Sequence, residues 1–489
     1  MSEICKIKYI KKLFKEKKIS CYELTQKYLD AIFKYDKDIN SYIEITKEYA
    51  LKKALEVDKK ISNNEELMPL EGIPMSLKDN ISTKDIKTTC CSKVLKDYVP
   101  TYDATVSDIL KKQNSILLGK NNMDEFAMGC ACETSCFGRT NNPHNVDYVP
   151  GGSSGGGTAA VAANLAVFSL GSDTGGSIRQ PASFCGIVGL KPTYGSISRY
   201  GLISLGSSLD QIGPMASSVE DVSLVYDELS LKDVKDATCF GKVNKSTHSS
   251  LNNSLKGIKI GLPKQYFEDV NDEVKVCVEK AIKVYESLGA KLIPLDMPDI
   301  KYSLPIYYIL VCSEAASNFA RFDGIRYGYN SKIYKGVDDF YCKTREESFG
   351  EDVKRRILLG NYFLSGNNYS KYYERALKIR NSILNTFDEA FKKCDVILSS
   401  TVPQTAFKHG FKPDDQMEAY MSDICTVPVN IAGNCAVSIP CGFDRNNMPI
   451  GMQIIGDRFC EYKILNVAYK FEQETCCENI RNLSMGVTL

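Results

Sequence analysis

Two serines set among glycines are the residues of this chain best suited to chemistry. Ser153 lies in P-G-G-S-S-G-G-G-T, from Pro150 to Thr158, and Ser177 in G-S-D-T-G-G-S-I-R, from Gly171 to Arg179. A serine hydroxyl becomes a nucleophile when a base takes its proton and main-chain N–H groups receive the developing oxyanion. Gly175 and Gly176 carry no Cβ, so the N–H groups of Thr174, Gly175, Gly176 and Ser177 can crowd around one point as an oxyanion hole. That makes Ser177 the better placed nucleophile, although such a nest could equally bind a phosphate or simply turn the chain.

Histidine offers little as the base. The chain has three, His144, His248 and His409. His248 falls in the polar stretch S-T-H-S-S-L-N-N-S and His409 in the charged segment F-K-H-G-F-K, so a histidine triad or a two-histidine metal site would lack suitable members. The alternative is a lysine made neutral by burial. Lysine titrates near ~10.4 in water, so poising it near neutrality takes about 4 kcal/mol of differential solvation. Lys78 ends the short apolar run Ile73 to Leu77 and is the candidate; a solvated strand-end lysine is its ordinary alternative.

Three other readings of the first cluster fail. Gly151 to Gly155 satisfies G-x-S-x-G, but that elbow follows a strand and needs a later histidine, whereas the turn-rich N-N-P-H-N-V-D-Y-V-P precedes it here. A phosphate loop ends Gly-Lys-Ser/Thr, and this one ends Gly-Gly-Thr. The helix-competent Thr158 to Ala166 that follows directly argues against a flexible linker.

The elements that must position these residues alternate between helix and strand. Ser20 and Glu23 read as a capping box opening an amphipathic helix over about 21–34, with Leu24, Tyr28, Leu29 and Ile32 on one face. Strand character follows at Tyr42 to Ile45 and a charged helix after it. Further strands are predicted at Ile73 to Leu77, Ile116 to Leu118, Val167 to Leu170 and Ile187 to Leu190, with helices at Ala104 to Asn114 and Val219 to Leu229. Ser177 therefore falls on a tight connection between buried elements. A polar excursion over about 231–256 marks a surface loop or subdomain junction. Ile258 to Leu262, a helix from Glu273 to Leu288, and Leu292 to Leu295 form a β-α-β unit. Helices are expected around Pro305 to Ala320, Glu351 to Leu364 and Tyr369 to Cys394, and strands at Val396 to Leu398, Ala436 to Ile439 and Pro449 to Ile455. The fold class is α/β: one large domain, a mixed β-sheet covered by helices on both faces, with an N-terminal helical region over about 1–70.

Composition narrows the function classes. The chain has 489 residues, 43% of them hydrophobic, and 61 Lys+Arg against 60 Asp+Glu; neither disorder nor an overall field for nucleic acid follows. Nineteen cysteines in a long chain that opens on a charged run fit reduced thiols in a cytoplasmic setting, or an organelle matrix if the source is eukaryotic. No apolar run nears 18 residues, so no membrane span is expected. Cys130, Cys132 and Cys136 with His144 raise the thought of a metal cluster; buried free thiols are the more frequent case, and no metal is expected.

The motifs L-E-G-I-P-M-S-L-K-D-N-I, P-G-G-S-S-G-G-G and G-S-D-T-G-G-S-I-R-Q-P-A-S-F-C-G-I-V-G-L-K-P-T resemble the amidase signature family in order and spacing. The resemblance implies that fold and a Ser-cis-Ser-Lys set: Ser177 as nucleophile, Ser153 as a bridging serine preceded by a cis peptide, Lys78 as base, with no cofactor at the site. N-M-D-E-F-A-M-G at 122–129, S-N-F-A-R-F-D-G-I-R-Y-G at 317–328, V-K-R-R-I-L-L-G at 353–360 and Y-M-S-D-I-C-T-V-P-V-N-I-A-G at 420–433 are similar to one branch of that family. This branch comprises the glutamine-hydrolysing A subunits of glutamyl-tRNA(Gln)/aspartyl-tRNA(Asn) amidotransferases. The resemblance then implies a glutamine pocket in which Arg356 takes the α-carboxylate, Asp423 the α-ammonium, and Tyr308 lines the wall. It also implies two partner subunits, designated B and C in such assemblies. The first is a kinase/transamidase using ATP and Mg and the second is small, with tRNA met through the complex. A stand-alone amidase acting on a small amide is the alternative.

Overall fold

The structure is a computed structural model and describes residues 5–241, 246–411, 421–475, 483 and 485–488. Its centre is an 11-stranded mixed sheet in the order β1-β3-β2-β4-β6-β5-β10-β11-β9-β7-β8. The strands are β1 (Tyr42–Ile45), β2 (Pro74–Lys78), β3 (Ile116–Asn121), β4 (Phe168–Asp173), β5 (Val188–Lys191), β6 (Gln211–Ala216), β7 (Lys259–Pro263), β8 (Lys291–Leu295), β9 (Val396–Ser400), β10 (Cys435–Phe443) and β11 (Pro449–Gly456). Parallel pairs β3/β2/β4 and β8/β7/β9 flank an antiparallel middle, so the sheet draws strands from both ends of the sequence.

Successive strand side chains point to opposite faces, and here the two faces feed different apolar clusters. Val396 and Leu398 of β9 join one cluster and Ile397 the other; Ile454 and Ile455 of β11 divide likewise. The first layer holds α1 (Lys6–Lys15), α2 (Cys21–Ile39), α3 (Lys47–Ser62), α4 (Thr105–Lys112) and α5 (Gly155–Ala162), with the wholly buried α6 (Arg179–Phe184) packed on β5, β10 and β11. α7 (Val219–Leu229), α8 (Asp272–Ser287) and the helix Glu461–Thr475 complete it. Opposite lie α9 (Ser303–Phe319), α11 (Glu351–Leu364), α12 (Glu374–Phe391) and the short helix Val427–Ala432, with α10 (Val337–Ser348) outside them.

Local chemistry accounts for several boundaries. The Ser20 hydroxyl accepts the Glu23 N–H (3.0 Å) and Glu23 accepts the Ser20 N–H (2.9 Å), closing the capping box of α2. That helix runs past residue 34 to Ile39 and stops at Asn40, whose φ of 57° is left-handed. α7 and α11 occupy their predicted ranges. The 369–394 stretch begins as a single π turn, Tyr369–Tyr373, before α12. β6 was not predicted: its Gly213 and Pro214 are residues that disfavour strands, yet it is buried between β4 and β5. α1 falls in the expected N-terminal helical region but was not singled out within it; its Ile7, Ile10 and Phe14 are buried beneath a run of lysines. The described part of the polar excursion folds back on α7, with the Thr247 N–H donating to Asp227 (2.9 Å). Residues 242–245 of that excursion lie outside the described residues.

Directly after β2, a buried ion pair fixes the chain. Lys120 and Asp79 stand 3.5 Å apart with both side chains fully buried. Asp79 also accepts the Thr89 N–H (2.8 Å), and Lys120 donates to the Ile81 carbonyl (2.8 Å) and the Thr88 hydroxyl (2.9 Å). Burial pushes the Asp79 carboxyl up while the Lys120 cation pulls it down. Removing one partner of such a pair strands a charge. Lys120→Met should therefore cost about 3–5 kcal/mol of stability, read as a lowered urea midpoint.

Candidate active site

β2 carries Lys78 into the interior at its C-terminal end, where its side chain is 1% exposed. Its Nζ lies 2.7 Å from Ser153 Oγ, 2.9 Å from Ser154 Oγ, 3.0 Å from Ser172 Oγ and 3.3 Å from the Ser172 carbonyl. An ammonium has three protons to give, and four oxygens surround it. Once deprotonated, the amine would offer its lone pair to one of these hydroxyls. Burial lowers Lys78 to about 8, against the opposing pull of Asp124, Asp173 and Asp210.

The peptide before Ser153, Gly152–Ser153, is cis. A side chain at 152 has no room: a Cβ there would lie 2.1 Å from Asp124 Oδ2. Asp124 is fixed by the N–H groups of Cys132 (2.9 Å) and Glu133 (3.2 Å) and the Thr134 hydroxyl (3.1 Å). The Gly152 N–H donates to Gln180 Oε1 (2.8 Å), and the Ser154 N–H donates to the Ser177 carbonyl (3.1 Å). Those two bonds stitch the first serine cluster to the second.

Ser177 stands between β4 and α6 and keeps part of its surface open, unlike the fully buried Ser153. Its loop is held by a buried ion pair. Arg179 Nε and Nη2 donate to the two oxygens of Asp173, each at 3.1 Å, and Arg179 Nη1 donates to Gln453 Oε1 (3.1 Å) and the Thr426 carbonyl (3.0 Å). Asn430 Nδ2 completes the shell on Asp173 at 2.9 Å. Despite burial, the Arg179 guanidinium holds the Asp173 carboxyl down to about 2. The Thr174 hydroxyl donates to Asp210 (2.7 Å), and the Thr426 hydroxyl to the Gly175 carbonyl (2.6 Å).

Tyr308, Arg356 and Asp423 come together beside this loop. The Arg356 guanidinium sits over the Tyr308 ring at 5.5 Å from its centroid, and Arg356 is itself buried. Burial pushes Asp423 up to about 7, with Arg356 pulling the other way. One cation and one carboxyl are thus buried beside the same tyrosine ring. The sequence reading missed Tyr307, whose phenol packs so closely on Gly175 that a Cβ there would meet its Oη at 2.7 Å. It also missed Ser154, Ser172, Asp210 and Thr426, and it assigned nothing to the Asp173–Arg179 pair. Ser154 and Arg179 sit inside the glycine motifs, and Thr426 inside the quoted 420–433 motif, so all three could have been flagged.

The three cysteines near Asp124 do not form a common metal site. Cys132 is buried with its thiol 3.4 Å from the Thr140 hydroxyl, Cys130 and Cys136 are only half-buried, and His144 Nε2 lies 3.1 Å from the Cys185 carbonyl. Among the described residues no group of three or more His, Cys, Asp or Glu could hold a metal ion. No helix among them is long and apolar enough to cross a membrane.

A family model described as Amidase matches residues 23–465. Among the A subunits of glutamyl-tRNA(Gln) amidotransferases, that of Thermoanaerobacter pseudethanolicus is 50% identical over 466 residues, covering 95% of this chain and 95% of that protein. The crystal structure of its counterpart from Thermotoga maritima superposes with a TM-score of 0.80 at 38% identity, over 96% of this chain and 95% of that one. The native peptide amidase of Stenotrophomonas maltophilia gives a TM-score of 0.81 at 26% identity, over 97% of each.

The burial of Lys78 is open to direct test. In NMR of lysine-labelled protein, the signals of Lys78, Lys191 and Lys11 should lose their protons near pH 8 while solvated lysines titrate above about pH 10. Lys78→Met should remove one of these signals and leave those of Lys191 and Lys11 in place.

Proposed function

This chain belongs to the amidase family, and from that premise we propose that it is the glutamine-hydrolysing subunit of a tRNA-dependent amidotransferase. It releases ammonia for a partner subunit that converts Glu-tRNA(Gln) to Gln-tRNA(Gln). The observation that carries the chemistry is the 2.7 Å contact between Lys78 Nζ and Ser153 Oγ in a buried site where the lysine is lowered to about 8. Identity of 50% over 95% of the chain to one of the amidotransferase A subunits supports that setting.

Neutral Lys78 takes the proton of Ser153, which takes that of Ser177, and Ser177 Oγ bonds to the γ-carbonyl carbon of glutamine. The carbonyl electrons move onto oxygen, which the N–H groups of Thr174, Gly175, Gly176 and Ser177 receive. The relay returns its proton to the leaving nitrogen, the C–N bond breaks and ammonia departs. Water then attacks the glutamyl ester through the same relay, giving glutamate and free Ser177. Arg356 and Asp423 clasp the α-carboxylate and α-ammonium, with Tyr308 as the wall. The paired charges favour a free amino acid over an acyl amide without them.

The kinase/transamidase partner would bring ATP and Mg, and the small partner completes the assembly, through which tRNA is met. Its place is the cytoplasm, in keeping with the absence of a membrane-crossing helix among the described residues and with the free thiols there.

Ser177→Ala should abolish ammonia release from glutamine in the assembled complex without lowering the melting temperature; turnover that persists would sink the nucleophile assignment. Asp423→Lys should raise KM for glutamine by at least about tenfold, the cost of losing a charge-assisted contact of about 1.5–3 kcal/mol, with a smaller change in kcat. An unchanged KM would remove Asp423 from the pocket. The kcat/KM profile should climb with pH as Lys78 loses its proton, levelling above about 8.

A further inference from the structure

Thr426 stands where the two halves of the site meet, and the steps above give it no part. Its side chain is fully buried. The hydroxyl lies 2.6 Å from the Gly175 carbonyl oxygen and 3.1 Å from that of Asp423. A hydroxyl has one proton to give. The Asp423 carbonyl already accepts the N–H groups of Thr426 (3.1 Å) and Val427 (2.9 Å), so the proton belongs to Gly175, at the shorter distance.

That choice fixes more than one carbonyl. The Gly175 C=O and the Gly176 N–H share one planar trans peptide and point in opposite directions. Tying the first to Thr426 aims the second away from it, into the loop where the oxyanion falls. Contact is close on this side: a Cβ on Gly176, at φ +144°, would meet Thr426 Oγ1 at 2.4 Å. Thr426 is in turn anchored through its own carbonyl by Arg179, at 3.0 Å, and Arg179 is clamped to Asp173 at the root of the Ser177 loop.

We infer that Thr426 is a positioning residue of the hydrolytic reaction: its hydroxyl holds the Gly175–Gly176 peptide so that the Gly176 N–H faces the developing oxyanion. This rests on the reading of Ser177 as the nucleophile. It also makes the turn that bears Asp423 and the oxyanion loop one mechanical unit, so that the group that grips the substrate ammonium and the group that receives the charge share a support.

The test uses the complex assembled with its partner subunits and follows glutamine hydrolysis. Ser177→Ala first establishes that turnover runs through Ser177. Thr426→Val, which keeps the shape and loses the hydroxyl, should lower kcat about 10–100-fold, somewhat less than deleting an oxyanion donor outright. KM for glutamine should stay within about threefold, because a group acting only on the transition state leaves ground-state binding alone. Thr426→Ser should return kcat to within about threefold of the parent. If Thr426→Val does not fold, Thr426→Cys carries the same comparison with a weak thiol donor. A Thr426→Val enzyme whose kcat stays within about twofold of the parent overturns the inference, as does a loss that falls on KM, or a Thr426→Ser enzyme as slow as the valine variant. Turnover that survives Ser177→Ala overturns the nucleophile reading and this inference together. Ser177-dependent turnover indifferent to Thr426→Val overturns this inference alone.

Discussion

The desolvation of one amine sets the terms for the rest of the molecule. Lys78 is carried inside by β2, whose neighbours β3 and β4 cover it on either side. Lowering its amine from 10.5 to about 8 corresponds to about 3 kcal/mol. The structure sustains that cost only because the polar atoms around Nζ are hydroxyls and a carbonyl, not a touching carboxylate. A carboxylate in direct contact would hold the proton and disarm the base. The nearby acids are each occupied elsewhere: Asp124 by the N–H groups of Cys132 and Glu133, Asp173 by Arg179, and Asp210 by Thr174 and the Gly206 N–H.

Around that amine the two serine clusters play unequal parts. The first is closed and fully buried, tied to Gln180 through the Gly152 N–H and crowded by Asp124. The second keeps Ser177 partly open, as its proposed role of nucleophile requires. Rigidity beneath it comes from the Asp173–Arg179 pair, which is bidentate, buried and tied to Asn430 and Gln453. Such a pair adds little to net stability but fixes geometry, since any displacement would strand a charge. The site is thus preorganised by bonds that reach from β4 across to β11 and the Val427–Ala432 helix.

Much of the frame was legible in the residues. The helices expected at Val219 to Leu229 and Glu351 to Leu364 are α7 and α11 at those bounds, and short apolar runs located β2, β3, β4 and β9 to within a few residues. The failures have physical reasons. β6 carries Gly213 and Pro214, which local propensity disfavours in a strand; antiparallel pairing to β4 on one side and β5 on the other overrides it. α1 hid its apolar stripe among lysines that snorkel to solvent. Short elements such as α6 and Val427–Ala432, buried on every side, have too few residues to show a period.

The sequence by itself determined the chemistry available: two serines wrapped in glycine, a strand-end lysine, and a shortage of histidine that left few other bases. Local spacing was enough, because motif and turn chemistry act over a few residues. Only the tertiary structure decided that Lys78 meets Ser153, 75 positions away, and that the Thr426 hydroxyl meets Gly175, 251 positions away. It also decided that the amine is poised near neutrality, because desolvation depends on every atom packed around a group and not on its neighbours in the chain. A lysine at the end of an apolar run reads the same whether it faces water or protein; the sheet closing over it made the difference.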